Sequence, residues 1–152
     1  DISIRDYLSE IISSFKEISK KNFIFNYDQY SNVKKITKSI EIIYGLRNFI
    51  GNANKFSSKN IFINLKSDNE VTEITIEDDG NGFPRDILSK IGEPYLKSNN
   101  PVEKSKTGLG LGLFIGKTLL EKNFASVNCR NSKTRSGAEV IIKWKNRELF
   151  NI

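Results

Sequence analysis

Three glycines alternate with leucines at the start of the segment Lys106-Thr-Gly-Leu-Gly-Leu-Gly-Leu-Phe-Ile-Gly-Lys-Thr-Leu-Leu-Glu-Lys122. Glycine lets a backbone approach a ligand closely, and the apolar spacing that follows predicts a helix from Leu109 to Lys122. The first N–H groups of a helix have no partner within the helix and lie at its positive end, so they suit phosphate. The segment predicts either a phosphate-binding turn or an ordinary glycine-rich turn before a helix.

Two common nucleotide-binding motifs do not fit this segment. A Walker A loop ends in Gly-Lys-Ser/Thr, as Gly116-Lys117-Thr118 does, but its first glycine would fall on Leu111. The dinucleotide motif Gly-x-Gly-x-x-Gly would need a glycine at Leu113. The spacing therefore excludes both motifs and leaves the kind of phosphate site open.

The composition is that of one globular domain. The chain has 152 residues, of which 38% are hydrophobic and 28% charged. Its net charge is +6, but the lysines are scattered, so a basic nucleic-acid-binding protein is the weaker interpretation. Cys129 is the only cysteine, which excludes an internal disulfide and favours a packed thiol. The chain contains no histidine and does not begin with Met, so we expect a piece of a longer protein.

The first residues predict an amphipathic helix. Ser3-Ile-Arg-Asp6 resembles a capping box, and apolar residues follow at helical spacing as far as Ile18. A helix of about four turns within residues 1–21 would pack against the domain or connect it to an upstream helical domain. Residues 22–152 are predicted to form the main domain.

A second helix is predicted from Thr37 or Ser39 to Phe56. One side is broad and apolar, while Asn48, Asn52 and Lys55 share the other side at i, i+4 and i+7. Asparagine is a poor helix former. The stripe is either a solvated polar face or a row of amide oxygens and a cation directed at Mg²⁺ and phosphate, since Mg²⁺ prefers oxygen ligands.

A hairpin is predicted from two strands, residues 60–66 and 71–78, and a turn follows it. The turn contains Asp79-Gly80-Asn81-Gly82, whose residue types are all common in turns. The alternative is a site for a flat ring between the two glycines. The Asp79 carboxylate would accept a hydrogen bond from the amine of adenine and would oppose the carbonyl of guanine, which favours ATP over GTP.

The remaining segments predict smaller elements. They are a strand over 23–27, a loop over 31–38, a short helix over 85–92, a mobile lid over 96–107, and two last strands over 125–131 and 137–145. In the final strand, alternate residues place Ala138, Val140, Ile142 and Trp144 on one face.

Three elements in this order carry a family resemblance. Asn48–Phe56, Asp79–Gly82 and Thr107–Leu113 resemble the N, G1 and G2 boxes of the catalytic ATP-binding domain of sensor histidine kinases, in the superfamily shared with gyrase, Hsp90 and MutL. Glu93-Pro94-Tyr95 resembles the F-box region before the ATP lid. The resemblance covers roughly residues 22–145, and this last motif together with the glycine segment is similar to the redox-responsive RegB/PrrB subfamily.

The resemblance implies an α+β fold, a two-layer α/β sandwich of the Bergerat or GHKL type with a mixed, mostly antiparallel sheet packed against helices. It makes residues 22–152 an ATP-binding catalytic domain and implies ATP and Mg²⁺ as ligands. By position, Asn52 would coordinate Mg²⁺, Asn48 would support the metal and phosphate end, and Lys55 would contact phosphate.

The resemblance also assigns residues to the adenine base and to the phosphates of ATP. Phe56 would line the pocket, and Asp79 would bind the adenine amine with Gly80 and Gly82 shaping the site. The phosphates would be held by backbone amides of the glycine segment, namely Thr107, Gly108, Leu109, Gly110, Leu111 and Gly112.

One position separates kinase from ATPase. Gyrase-like relatives have a water-activating glutamate where this chain has Asn48, and asparagine cannot act as a general base. The resemblance thus implies a protein-histidine kinase that transfers the γ-phosphoryl group to a histidine on a dimerisation domain absent from this chain, and then to a response regulator.

The resemblance further implies a homodimeric parent in the cell membrane, with this domain on the cytoplasmic side and no nucleic acid as partner. Other interpretations are a non-catalytic nucleotide-binding module of the same fold and a gyrase-like ATPase.

Overall fold

Both helices and strands are present in the computed structural model, which describes residues 1–28, 35–91 and 109–150. The elements in chain order are β1 (Ile2–Ser3), α1 (Ile4–Lys16), β2 (Asn22–Tyr27), β3 (Lys35–Ile36), α2 (Ile40–Phe56), β4 (Asn60–Ser67), β5 (Val71–Asp78), α3 (Arg85–Ile91), α4 (Leu109–Lys122), β6 (Ser126–Asn131), β7 (Ala138–Lys145) and α5 (Asn146–Leu149). The predicted lid and the Glu93–Tyr95 motif lie outside the described residues.

The main sheet has five strands in the order β2-β4-β5-β7-β6. β2 runs parallel to β4, because α2 lies between them in the chain and returns it to the same end of the sheet. The other neighbours are antiparallel. The predicted mixed, mostly antiparallel sheet is confirmed. β1 and β3 form a separate two-stranded ribbon, so the predicted loop over 31–38 includes a short strand.

The core lies on one side of the sheet. In β4, β5 and β7 every second side chain is buried, as expected when helices cover one face. The predicted inner face of β7 is confirmed, because Ala138, Val140, Ile142 and Trp144 are all buried. α1, α2 and α4 contribute their apolar sides to the same core, which confirms the two-layer sandwich.

The first helix begins as its sequence predicts. The Ser3 hydroxyl accepts a hydrogen bond from the Asp6 N–H and caps α1. Ile18 lies beyond the end of the helix and is 80% exposed, so the apolar pattern does not extend that far. No helix in the described part of the chain is long and apolar enough to cross a membrane.

α2 and α4 run against each other at close range. A Cβ on Gly45 would lie 2.7 Å from Leu120 Cγ, and a Cβ on Gly116 would lie 2.7 Å from Phe49 Cε2. Glycine at these positions therefore allows the two helices to approach closely. This contact brings Asn52 of α2 beside the first turn of α4.

Candidate functional site

A narrow cleft lies between α2, the first turns of α4 and the inner face of the sheet. Its lining is mostly apolar, with Asn52 and Asp78 as the polar side chains among Phe49, Ala53, Phe56, Ile76, Gly82, Phe83, Leu113, Ala138 and Val140. The cavity volume is about 20 Å³, which has room for roughly one water molecule and not for a purine ring. A flat ring therefore enters only when side chains of the lining move.

Asp78 is the carboxylate in this cleft. It ends β5, is 4% exposed, and its Oδ1 accepts hydrogen bonds from the N–H groups of Gly80 at 2.8 Å and Ala138 at 3.3 Å. Burial raises the pKa of this carboxyl, and the two N–H donors only partly offset that effect. Oδ2 has no hydrogen bond from any described residue, so it is the oxygen available to a ligand.

Asp79, which the sequence predicts as the adenine ligand, has a different environment. Its carboxylate accepts hydrogen bonds from the backbone N–H groups of Ser58, Lys59 and Asn60 at 2.9–3.1 Å. The Asn60 side-chain amide donates a further bond at 3.0 Å. Burial alone would raise the pKa of Asp79, but these bonds outweigh it and the pKa is lowered. The carboxylate thus fastens the turn to the connection between α2 and β4.

The sequence contains the information that distinguishes the two carboxylates. Successive side chains of a strand point to opposite faces, and the inner face of β5 contains Ile74, Ile76 and Asp78. Asp78 also has the regular spacing Asp-x-Gly-x-Gly to the two glycines, whereas Asp79 is adjacent to the first of them. Strand phase therefore predicts that Asp78 faces the cleft, which the composition of the turn alone does not indicate.

Both glycines of the turn are required by geometry. A Cβ on Gly80 would lie 2.1 Å from the carbonyl oxygen of Phe56, at the end of α2. Gly82 has φ +79°, a conformation that side chains disfavour, and it lines the cleft. The predicted role of these glycines in shaping a pocket is consistent with these positions.

The polar stripe of α2 reaches the cleft through one residue. Asn52 lines it, and its buried Nδ2 has no hydrogen-bond partner among the described residues. Asn48 is instead turned to its own helix, where its Nδ2 donates to the Tyr44 carbonyl at 2.8 Å. Lys55 is exposed, with its Nζ 5.2 Å from the centroid of the Phe56 ring. The stripe predicted from helical spacing therefore divides into a cleft residue and two residues outside the lining.

Part of the glycine segment is helical. α4 begins at Leu109, so Gly110 and Gly112 lie in its first turn, where backbone N–H groups have no partner within the helix. A Cβ on Gly112 would lie 2.9 Å from Asn52 Nδ2, which places this turn against the Asn52 amide. Leu111 is 51% exposed. Thr107 and Gly108 lie outside the described residues.

A larger groove of about 490 Å³ lies near the ends of β2 and β4. Its lining includes cations and anions, among them Lys66, Asp68 and Lys143, and Lys143 lies 3.5 Å from Glu73. None of the predicted site residues lines it. The convergence of Asn52, Asp78 and the first turn of α4 makes the narrow cleft the better candidate.

Residues 37–148 match the family model described as histidine kinase-, DNA gyrase B- and HSP90-like ATPase. Among individual proteins, the chain is similar to the sensor histidine kinase RegB of Cereibacter sphaeroides, with 37% identity over 102 residues. That match covers 64% of this chain and 22% of RegB. The sensor protein KdpD of Clostridium acetobutylicum is 31% identical over 55% of this chain and 10% of its own length. The chain thus spans about a fifth or less of these relatives.

Solved structures share the fold at lower identity. The catalytic domain of the histidine kinase ThkA superposes with a TM-score of 0.73 at 18% identity and covers 95% of each chain. The mycobacterial sensor histidine kinase MprB gives a TM-score of 0.71 at 19% identity, again with 95% of both chains covered.

Proposed function

Because this chain belongs to the histidine kinase-, DNA gyrase B- and HSP90-like ATPase family, we propose that it is the catalytic domain of a protein-histidine kinase. It is an ATP-binding domain of the kind found in sensor kinases. It binds ATP with Mg²⁺ and transfers the γ-phosphoryl group to a histidine on a dimerisation domain that this chain does not contain. The phosphoryl group then passes to a response regulator. The parent is a homodimer held in the cell membrane.

The observation that carries the proposal is the buried Asp78 carboxylate in an otherwise apolar cleft. Asp78 is 4% exposed, and the described residues donate to its carboxylate only through two backbone N–H groups on Oδ1, so Oδ2 can accept a hydrogen bond from a ligand. Adenine presents an amine at the position where guanine presents a carbonyl, so Asp78 accepts from the first and repels the second. We assign to Asp78 the role that the sequence predicts for Asp79.

The phosphate and metal end is assigned to Asn52 and the first turn of α4. The Asn52 amide, whose Nδ2 has no partner among the described residues, suits the phosphate end of the nucleotide through either atom. Its Nδ2 can donate to a phosphate oxygen, and its Oδ1 can bind Mg²⁺. The unpaired N–H groups at the start of α4 hold the phosphates, and Lys55 adds a positive charge near the end of α2. Mg²⁺ neutralises charge on the phosphates when it is bound.

We expect transfer of the γ-phosphoryl group rather than hydrolysis of ATP, because the polar stripe of α2 contains no general base. Asn48 has no titratable group that can take a proton from water, and its amide is bonded to Tyr44. The acceptor must be supplied from outside, because the chain has no histidine. The chain therefore contributes binding, orientation and charge stabilisation, which supply most of the acceleration in phosphoryl transfer.

The binding part of the proposal is tested by a matched pair of isosteric variants. Asp78→Asn replaces an acceptor facing adenine by a donor, so we expect its affinity for Mg-ATP to fall by about 30-fold or more, equivalent to about 2 kcal/mol. Asp79→Asn should lose clearly less affinity than Asp78→Asn, because the Asp79 side chain bonds the 58–60 backbone and does not line the cleft. Calorimetric titration measures both; equal losses, or a loss confined to Asp79→Asn, would contradict the assignment.

The transfer part needs a histidine-bearing dimerisation domain from a related kinase, mixed with this chain and radiolabelled ATP. We expect label on the supplied histidine and no measurable phosphate release by this chain alone. Normal ATP binding without transfer to any supplied domain would favour a non-catalytic module. Steady phosphate release would favour an ATPase.

A further inference from the structure

Asn131, the last residue of β6, makes a two-point contact with the turn that follows Asp78. Its Oδ1 accepts the Phe83 N–H at 2.6 Å, and its Nδ2 donates to the Phe83 carbonyl at 3.2 Å. Only one orientation of the amide satisfies both bonds, since the oxygen must face the N–H and the nitrogen must face the carbonyl. The side chain is exposed to solvent, so these bonds are not required by burial.

The backbone held by Asn131 is a wall of the cleft. Gly82 and Phe83 both line it, and a Cβ on Gly82 would lie 2.7 Å from Asn131 Oδ1. Asn131 also pairs in the sheet with Ala138, whose N–H donates to Asp78 Oδ1. One residue thus connects the strand that supports the Asp78 carboxylate to the turn on its other side.

The opposite end of the turn is fixed separately. Asp79 bonds the backbone of residues 58–60, so the segment from Asp79 to Phe83 has one anchor at each end. Asp78 immediately precedes this segment, and its Oδ1 accepts the Gly80 N–H within it. If the anchor at Phe83 is removed, the spacing between the cleft wall and the Asp78 carboxylate is no longer fixed.

We propose that Asn131 is a positioning residue for base selection, which fixes the backbone of the Gly82–Phe83 wall relative to the Asp78 carboxylate that would bind the adenine amine. The inference rests on the proposed function, because it concerns how the same cleft selects its base. Asn131 acts through the Phe83 backbone and not on the nucleotide. Selective recognition depends on support of this kind, because small displacements of a binding group weaken directional hydrogen bonds.

The test compares Asn131→Ala, Asn131→Asp and the control Asn128→Ala, which changes an exposed side chain on the same strand. Dissociation constants for Mg-ATP and Mg-GTP are measured together with the melting temperature without nucleotide. The ratio of the two constants is the decisive readout, because a general loss of stability would not change base preference. Asn131→Asp is isosteric and keeps the acceptor for the Phe83 N–H, so it reports on the contact even where the alanine variant folds poorly.

For Asn131→Ala we expect ATP affinity to fall about tenfold with GTP affinity within about twofold of wild type, as the loss of two modest hydrogen bonds allows. The ATP affinity of Asn131→Asp should lie between those of this variant and wild type, and the ATP affinity of Asn128→Ala should match wild type. An unchanged ATP-to-GTP ratio in both Asn131 variants, or an equal change in Asn128→Ala, would overturn the positioning role alone. A wild-type chain that does not bind ATP would overturn the proposed function, and this inference with it.

Discussion

Two adjacent carboxylates at the end of β5 have opposite electrostatic environments. Burial in the cleft raises the pKa of Asp78. Burial also acts to raise the pKa of Asp79, but hydrogen bonds from three backbone N–H groups and the Asn60 amide outweigh it, so that pKa is lowered. A charged Asp78 is therefore held at a cost to stability, while a charged Asp79 stabilises the folded chain. Asp78, whose charged form lowers the stability of the folded chain, is the carboxylate that faces the cleft, as expected of a binding group.

The structural role of Asp79 predicts a change in acid stability. Its folded pKa is lowered, so its contribution is present above the ordinary value of 3.8 and is lost as pH falls through the folded value. Asp79→Asn removes the charge and sets an amide donor against the donors of residues 58–60. We expect a loss of about 1 kcal/mol at pH 7, discounted for exposure, and a smaller difference from wild type below pH 3.8.

Urea titrations at several pH values measure this difference. Asn81→Ala is the control, because it changes an exposed residue of the same turn. A stability deficit of Asp79→Asn that persists unchanged below the folded pKa would show that the carboxylate's charge is not what holds the turn.

Residue types and helical spacing predicted the site only in part. The stripe of Asn48, Asn52 and Lys55 is present, but only Asn52 lines the cleft, because the position of α4 decides which residue of α2 it meets. That contact is tertiary and is not encoded in the period of one helix. The position of Asp78 in the cleft can be predicted from strand alternation, and the Asn131 contact cannot, since it joins positions 48 residues apart.

At the level of elements, the separation of α2 and α4 depends on glycines. Gly116→Ala gains about 1 kcal/mol of helix propensity, but its Cβ would lie 2.7 Å from the ring of Phe49, which is 1% exposed. Overpacking of a buried ring costs about 1–3 kcal/mol. We expect a net loss of stability and weaker ATP binding, because α4 would move away from Asn52.

Gly51→Ala is the matched control on the neighbouring side of α2. Its Cβ would approach the Phe15 ring, with Cζ nearest at 3.3 Å, and this partly buried ring can move by the small distance required. We expect a gain of about 0.5 kcal/mol, measured like Gly116→Ala by thermal unfolding. Equal effects of the two alanines would contradict close packing of α2 on α4.

Elements long enough to show an apolar periodicity could be predicted from the sequence, and the shortest elements could not. The bounds of α4, β5 and β7 agree with the sequence expectation to within about one residue, and α2 begins at Ile40, one residue after the later of its two predicted starts. β1, β3 and α5 have two to four residues each, too few to show a period of 2 or 3.6. They form because neighbouring elements supply their partners.

At the scale of the whole molecule, α1 belongs to the same hydrophobic core as α2 and α4. Its inner side is fully covered, and its buried residues are Ile4, Tyr7, Leu8, Ile11 and Ile12. The Tyr7 hydroxyl accepts the N–H of Ser39, the residue that caps α2, at 2.7 Å. A division between residues 1–21 as a connection and 22–152 as the domain remains a prediction, and this packing argues against independence of the second part.

Removal of residues 1–21 tests that division. Burial of each large apolar side chain is worth about 1.5–3 kcal/mol, so the five together approach the whole stability of a typical domain, about 5–15 kcal/mol. We expect the 22–152 chain to lose its cooperative thermal transition and its ATP binding together. Ile18→Ser, at a position 80% exposed, should leave both within experimental error. A truncated chain that melts cooperatively and binds Mg-ATP like the full chain would make α1 a detachable connection, so α1 would not contribute to holding α2 and Asn52 in the site.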